Sequence, residues 1–143
     1  MDLGDIAIWD GEEELLLLER KKLSDLASSI KDGRYAEQSY RLNGYSLHNH
    51  NIIYLVEGNV SQYSDKYSRV KPGTLYTTMF SIQYFKGFSM VRTFDITETA
   101  EYILRVTDKL SRSSDKHGFY HELFQPKKEN YTRVVHKEKK KMV

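Results

Sequence analysis

Two short apolar runs, Ile6-Ala7-Ile8-Trp9 and Leu15-Leu16-Leu17-Leu18, flank the polar segment Asp10-Gly11-Glu12-Glu13-Glu14. Apolar runs on either side of a short polar stretch containing Asp-Gly predict a β-hairpin. A helix is predicted next, because Leu23, Leu26, Ala27 and Ile30 recur at i, i+3, i+4 and i+7. Gly33 is expected to interrupt or bend that helix, which resumes from Tyr35 to Leu42. Ile52-Ile53-Tyr54-Leu55-Val56 is unbroken and apolar, the pattern of a central strand buried on both faces. Glu57 reads as its terminus, with a turn at Gly58. Ser61 to Gly73 is polar and reads as a surface loop. Leu75, Met79 and Ile82 stand at helical spacing within Thr74 to Phe85, and Phe88 to Thr93 reads as a last strand. Asp95 and Glu98 have capping-box spacing. The helix they open is expected to run to about Arg112, with a buried stripe of Ala100, Ile103, Leu104, Thr107 and Leu110.

The hairpin carries the chemistry. If its loop takes Asp10 to Glu14, Trp9 faces Leu15 and the ladder continues to place Asp5 opposite Glu19. Opposed residues share a sheet face, with Cβ atoms roughly 5 Å apart. Alternation along the strand puts Lys21 on the same side as Glu19. Asp5, Glu19 and Lys21 then converge on one rim, and a loop one residue shorter or longer would flip the faces. Two close carboxylates both stay ionised only with a cation between them. Hard oxygen ligands without thiols favour Mg²⁺ or Mn²⁺. Such an ion polarises a phosphodiester and lowers the pKa of an attacking water. Lys21 would hold that water or offset charge developing on the phosphate. The competing reading is a hairpin end with ordinary surface charges.

Other polar groups carry less. Arg34, Gln38 and Arg41 lie at i, i+4 and i+7, on one helix face. Spacing alone leaves open a solvated face or a phosphate-contacting row, flanked by Tyr35 and Tyr40. His48 with His50, and His117 with His121, are read as incidental, because a zinc site takes about four ligands and no cysteine is present.

Gly4-Asp5, then Glu19-Arg20-Lys21 with Asp25 four positions on, resembles the nuclease signature of the XPF-type structure-specific endonucleases. The run from Asp25 to Arg34 (Asp-Leu-Ala-Ser-Ser-Ile-Lys-Asp-Gly-Arg), with Glu37-Gln38 and Arg41-Leu42, resembles the MUS branch of crossover-junction and 3′-flap endonucleases. Tyr54-Leu55-Val56-Glu57-Gly58, Arg92-Thr93, Asp95 and Glu98-Thr99-Ala100-Glu101-Tyr102 extend the likeness, in the family's order, across residues 3 to 112.

The resemblance implies an α/β, restriction-endonuclease-like core, a mixed central sheet flanked by helices. It implies Asp5 and Glu19 as ligands of Mg²⁺ or Mn²⁺, with the backbone carbonyl of Arg20 as a further oxygen. Lys21 would be the catalytic lysine and Asp25 the acidic residue borne on the helix. Arg34 and Gln38 would face substrate, with Arg20 and Arg41 as further DNA-binding candidates. The activity implied is Mg²⁺-dependent hydrolysis of one strand of branched double-stranded DNA, such as 3′ flaps, forks or junctions, in repair or recombination. Nuclease domains of this kind work as dimers, so a homodimer, or a heterodimer with a related nuclease-domain subunit, is expected. The intact motif places this chain on the catalytic side. The alternative is a catalytically incomplete DNA-binding or dimerisation module partnering another nuclease subunit. The family's upstream acidic strand and its usual pair of helix-hairpin-helix domains are not expected within these 143 residues, which are expected to be either a short natural version or a fragment.

Composition adds bounds. A chain of 143 residues suits one core, and it contains no cysteine, which excludes disulfides and thiolate metal sites. No apolar stretch approaches the roughly 18 residues of a membrane span, and no signal peptide is evident. An intracellular location is expected, nuclear in a eukaryote, rather than secretion. The net charge of +2 hides an asymmetry. Residues 126–143 hold seven Lys or Arg and two Glu, +5, so the remaining residues carry −3. The expected organisation is a nuclease domain over 1–125 and a basic tail over 126–143. A mildly acidic body binds DNA through local patches rather than a general basic surface.

Overall fold

The structure, a computed structural model, describes residues 6–33, 47–113 and 115–120. Strands β1 (Ile6–Asp10) and β2 (Glu13–Lys22) form the antiparallel hairpin. Strands β3 (Ile52–Glu57) and β4 (Ser89–Thr93) run parallel to β2, giving a mixed sheet in the order β1-β2-β3-β4. Every residue of β3 is buried, because this central strand is covered on both faces, as its unbroken apolar run predicts.

The hairpin tip is tighter than five residues. Asp10 pairs with Glu13, so only Gly11 and Glu12 turn, and Trp9 faces Glu14 rather than Leu15. A register shift between Ile8 and Trp9 then absorbs one residue of β2. Such a bulge sets two residues of one strand against one of the other. Below it the pairs are Ile8↔Leu16, Ala7↔Leu17 and Ile6↔Leu18. That is the register the pairing of Asp5 with Glu19 requires; Asp5 itself lies outside the described residues.

Helix α1 (Leu23–Asp32) follows β2 without a loop, and buries Leu23, Leu26 and Ala27. It ends at Gly33, whose left-handed φ of 81° lets its N–H reach the Ile30 carbonyl. Gly33 therefore stops the helix instead of bending it. The continuation expected over Tyr35 to Leu42 lies outside the described residues. Helix α2 (Pro72–Tyr84) buries Leu75, Met79 and Ile82, as their spacing predicts, and starts two residues early because Pro72 suits a first helical turn. Between β3 and α2 the chain is mostly surface loop, with a short 3₁₀ turn at Val60–Gln62. No helix among the described residues is long and apolar enough to cross a membrane.

The helices divide between the sheet's faces. Leu17, Ile52, Tyr54 and Val56 point toward α1 and α2, where they meet Leu26, Ala27, Leu75, Met79 and Ile82. Leu18, Ile53 and Leu55 point the other way, toward Tyr102 and Ile103 of helix α3 (Ile96–Arg112). The capping box of α3 is present: Asp95 accepts from the Glu98 N–H at 2.9 Å, while Glu98 accepts from the Phe94 N–H. Its buried stripe differs from expectation. Thr99 is the buried residue, Tyr102, Ile103, Val106 and Leu110 are half-buried, and Ala100, Leu104 and Thr107 are exposed. A polar contact made by Thr99 seats the helix, and hydrophobic periodicity cannot register that.

Gly58 joins the layers. Its φ of +131° is one that L side chains rarely adopt, and a Cβ there would lie 3.1 Å from Leu23 Cγ and Cδ1. Its N–H donates to the Thr93 carbonyl at 2.8 Å. Gly58→Ala is expected to lower stability by about 1–3 kcal/mol from backbone strain and the forced shift of Leu23. Urea denaturation of the two proteins checks this; equal midpoints would show that neither constraint matters.

Candidate active site

Alternation along the end of β2 sorts its charged residues. Glu19 and Lys21 share the face of Leu17, toward α1 and α2, while Arg20 shares the face of Leu18, toward α3. In the parallel register Glu19 sits beside Tyr54 and Lys21 beside Val56. Glu19 is only 4% exposed, and Lys21 is half-buried. A carboxylate so removed from water is costly unless charge or hydrogen bonds compensate it. Asp25 lies exposed in the first turn of α1, three residues after the end of β2. A helix N-terminus favours a carboxylate there.

The opposite face holds a buried polar cluster. Arg20 grips Glu57 as a fork: Nε donates to Oε1 at 3.0 Å and Nη2 to Oε2 at 2.9 Å. Glu57 is 6% exposed. Thr99 of α3 donates its hydroxyl to Glu57 Oε1 at 2.6 Å. Thr99 has one hydroxyl proton, so in its 2.6 Å contact with Thr93 the donor must be Thr93. The cluster thus ties β2, β3, β4 and α3 together. Hydrogen bonding from Arg20 is the main force holding the Glu57 carboxyl below its ordinary range; burial opposes it, and Thr99 and the charges of Arg20 and Lys22 add to it. Nearby, Arg92 donates to the carbonyls of Val56 at 3.2 Å and Gly58 at 2.7 Å, closing the end of β3.

Of the residues singled out in the sequence, Glu19 and Lys21 are brought to one face, and Asp25 follows them on α1. The Arg20 guanidinium is engaged by Glu57 through Nε and Nη2, which fixes where its remaining N–H groups can point. Asp5, Arg34, Gln38 and Arg41, with Tyr35 and Tyr40, lie outside the described residues. Among the described residues no group of three or more His, Asp or Glu is placed to hold a metal ion. Among the described residues the Glu19 face offers one buried carboxylate, and the chain has no thiol; such an oxygen donor suits a hard divalent cation. His48 instead accepts the His50 N–H at 2.9 Å and stacks on Tyr120 at 4.0 Å. Glu57 does end its strand at a turn, but its burial and ion pair were missed. The one available signal was a carboxylate closing a wholly apolar run.

A family model described as the ERCC4 domain matches residues 1–106. The probable crossover junction endonuclease mus81 of Dictyostelium discoideum is 35% identical over 126 residues, covering 76% of this chain and 14% of that protein. The structure-specific endonuclease subunit MUS81 of Rattus norvegicus is 40% identical over 106 residues, covering 73% of this chain and 18% of its own length. The chain therefore spans about a seventh to a fifth of these relatives. Among solved structures, XPF from Aeropyrum pernix superposes with a TM-score of 0.64 at 28% identity, over 82% of this chain and 51% of that one. The same protein in complex with DNA superposes with a TM-score of 0.54 at 30% identity, over 68% and 46%.

Because Glu57 is held ionised in the fold, its contribution to stability is complete above its ordinary value of 4.5 and is lost as pH falls through the lowered folded value. Glu57→Gln removes that titration and should cost about 1–3 kcal/mol at neutral pH, since the Arg20 charge loses its counterpart. Below about pH 4.5 the difference should shrink, because the unfolded parent then takes up a proton that the folded carboxylate resists. Chemical denaturation across pH measures both; a gap that stays constant down to pH ~3 would rule out the linkage.

Proposed function

The chain belongs to the ERCC4 domain family, and on that premise we propose that it is a metal-dependent, structure-specific DNA endonuclease that cuts one strand of branched duplex DNA, such as 3′ flaps, forks or junctions. The observation that carries this reading is the placement of a buried Glu19 and of Lys21 on one face at the end of β2. The DNA-bound state of the Aeropyrum pernix XPF and the names of the MUS81 relatives support the substrate class.

In this reading Asp5, Glu19 and the Arg20 carbonyl hold Mg²⁺ or Mn²⁺, which when bound polarises the phosphodiester and acidifies a water. Burial of Glu19 keeps its carboxylate from being screened by solvent. Lys21 orients the water or neutralises charge growing on the phosphate. Asp25 supplies a further acidic group from the first turn of α1. Arg34, Gln38 and Arg41 contact the backbone of the substrate, and such contacts position DNA without reading its sequence. The Glu57 fork holds Arg20, and through it the stretch of β2 between Glu19 and Lys21.

We also assign a related nuclease-domain subunit, identical or not, to the outer face of α3. Ile96 and Leu104 are 56% and 61% exposed, Ala100 lies between them, and Ile6, Ile8 and Leu16 on the same sheet face are only half-buried. An apolar stripe left this open suits a partner helix.

Glu19→Ala is expected to abolish Mg²⁺-dependent nicking of a labelled 3′ flap while circular dichroism shows a retained fold. Lys21→Ala should slow cutting by about 10²–10³-fold. Undiminished cutting by Glu19→Ala would remove the assigned ligand. A parent chain that binds forks but never nicks them would instead mark a binding or dimerisation module. Leu104→Glu should convert a dimer to monomer in sedimentation; an unchanged mass would clear α3 of that role.

A further inference from the structure

The two parallel strands β3 and β4 leave the sheet in opposite directions. After β3 the chain passes to α2 on the face of Tyr54, and after β4 it passes to α3 on the face of Leu55. Diverging connections at the carboxyl ends of neighbouring parallel strands open a crevice, the usual ligand site of such sheets. A shallow, open depression of about 410 Å³ lies there, lined by Gly58, Asn59, Ser61, Tyr76, Arg92 and Phe94 among others.

The lining has a definite chemistry. Among the described residues no Asp or Glu lines the depression, while Arg92 contributes a cation. Two bonds from Arg92 to backbone carbonyls fix that guanidinium in place. Asn59 Oδ1 already accepts from the Ser61 N–H and from Ser61 Oγ, so the donor side of its amide is what remains for a ligand. Tyr76 and Phe94, from different elements, are both 56% exposed. A fixed cation, an amide donor and two open aromatic rings match a phosphate joined to a planar base.

We propose that this crevice binds an unpaired nucleotide of a DNA strand. A paired base has both faces stacked and cannot enter, whereas an unpaired one can stack on aromatic side chains. The position suits the nuclease reading, on which the role of this subsite rests. Lys21 pairs with Val56, two residues before Gly58, so the crevice lies on the same sheet edge as the Glu19 and Lys21 face. A single-stranded arm leaving the branch would lay one nucleotide here while the duplex lies at the cutting residues.

The test is fluorescence anisotropy of the whole chain with a short labelled oligo(dT), in EDTA, so that failure of cutting and failure of this subsite are separate results. Tyr76→Ala and Phe94→Ala are each expected to weaken oligo(dT) binding about tenfold while leaving binding of blunt linear duplex unchanged, and Tyr76→Phe should retain it. Photocrosslinking of the unmutated chain to an iodouracil-containing strand should label Tyr76 or Phe94. The proposal is overturned if the alanine variants bind oligo(dT) like the parent, if duplex binding falls equally, or if the crosslink maps elsewhere. Free dTMP binding as tightly as the strand would also overturn it, assigning the crevice to a mononucleotide.

Discussion

A single charge pair on the far side of the sheet organises this molecule. The fork from Arg20 to Glu57 joins the ends of β2 and β3, and Thr99 and Thr93 extend it to α3 and β4. An ion pair this buried is stable only when its remaining hydrogen-bonding capacity is met. Here the guanidinium meets both carboxylate oxygens, and the hydroxyl of Thr99 meets one of them again. The strand positions on either side of Arg20 are therefore held in register, and these are Glu19 and Lys21. Stability on one face becomes positional accuracy on the other.

The division of the sheet into two faces explains why one short strand can serve both ends. Alternation sends Glu19 and Lys21 toward α1 and α2, and Arg20 toward α3. Because α1 begins immediately after β2, Asp25 lies a single helical turn from that strand end. Gly58 allows this close packing, since its missing side chain leaves space for Leu23. The edge at the carboxyl ends of the strands thus gathers the buried carboxylate, the lysine, the helix start and the crevice beyond β4.

Helix α3 shows how a polar contact can override an apolar pattern. Thr99 is drawn in by Glu57, and the turn it fixes leaves Ile96 and Leu104 in solvent. A helix seated in that way has one face on the sheet and a second apolar stripe unsatisfied. That stripe is the basis of the partner surface proposed above, because apolar residues left in a row lose water when another surface covers them. The seat of α3 and the site on β2 share Glu57, so the face assigned to a partner and the face assigned to chemistry are mechanically joined.

Local pattern determined much of this protein. The hairpin, α1, the buried strand β3, α2 and the capping box of α3 all follow from periodicity and turn residues, because those depend on neighbours within a few positions. The common face of Glu19 and Lys21 follows from strand alternation alone. The order of the nuclease motif pointed to the family whose model the chain matches. Tertiary structure decided the rest. The bulge that restores the hairpin register depends on how two strands settle against each other. The Arg20–Glu57 pair joins residues 37 positions apart, a separation at which no local rule operates. The rotation of α3 and the crevice between β3 and β4 likewise exist only once the layers have packed, since each is set by contacts between elements distant in sequence.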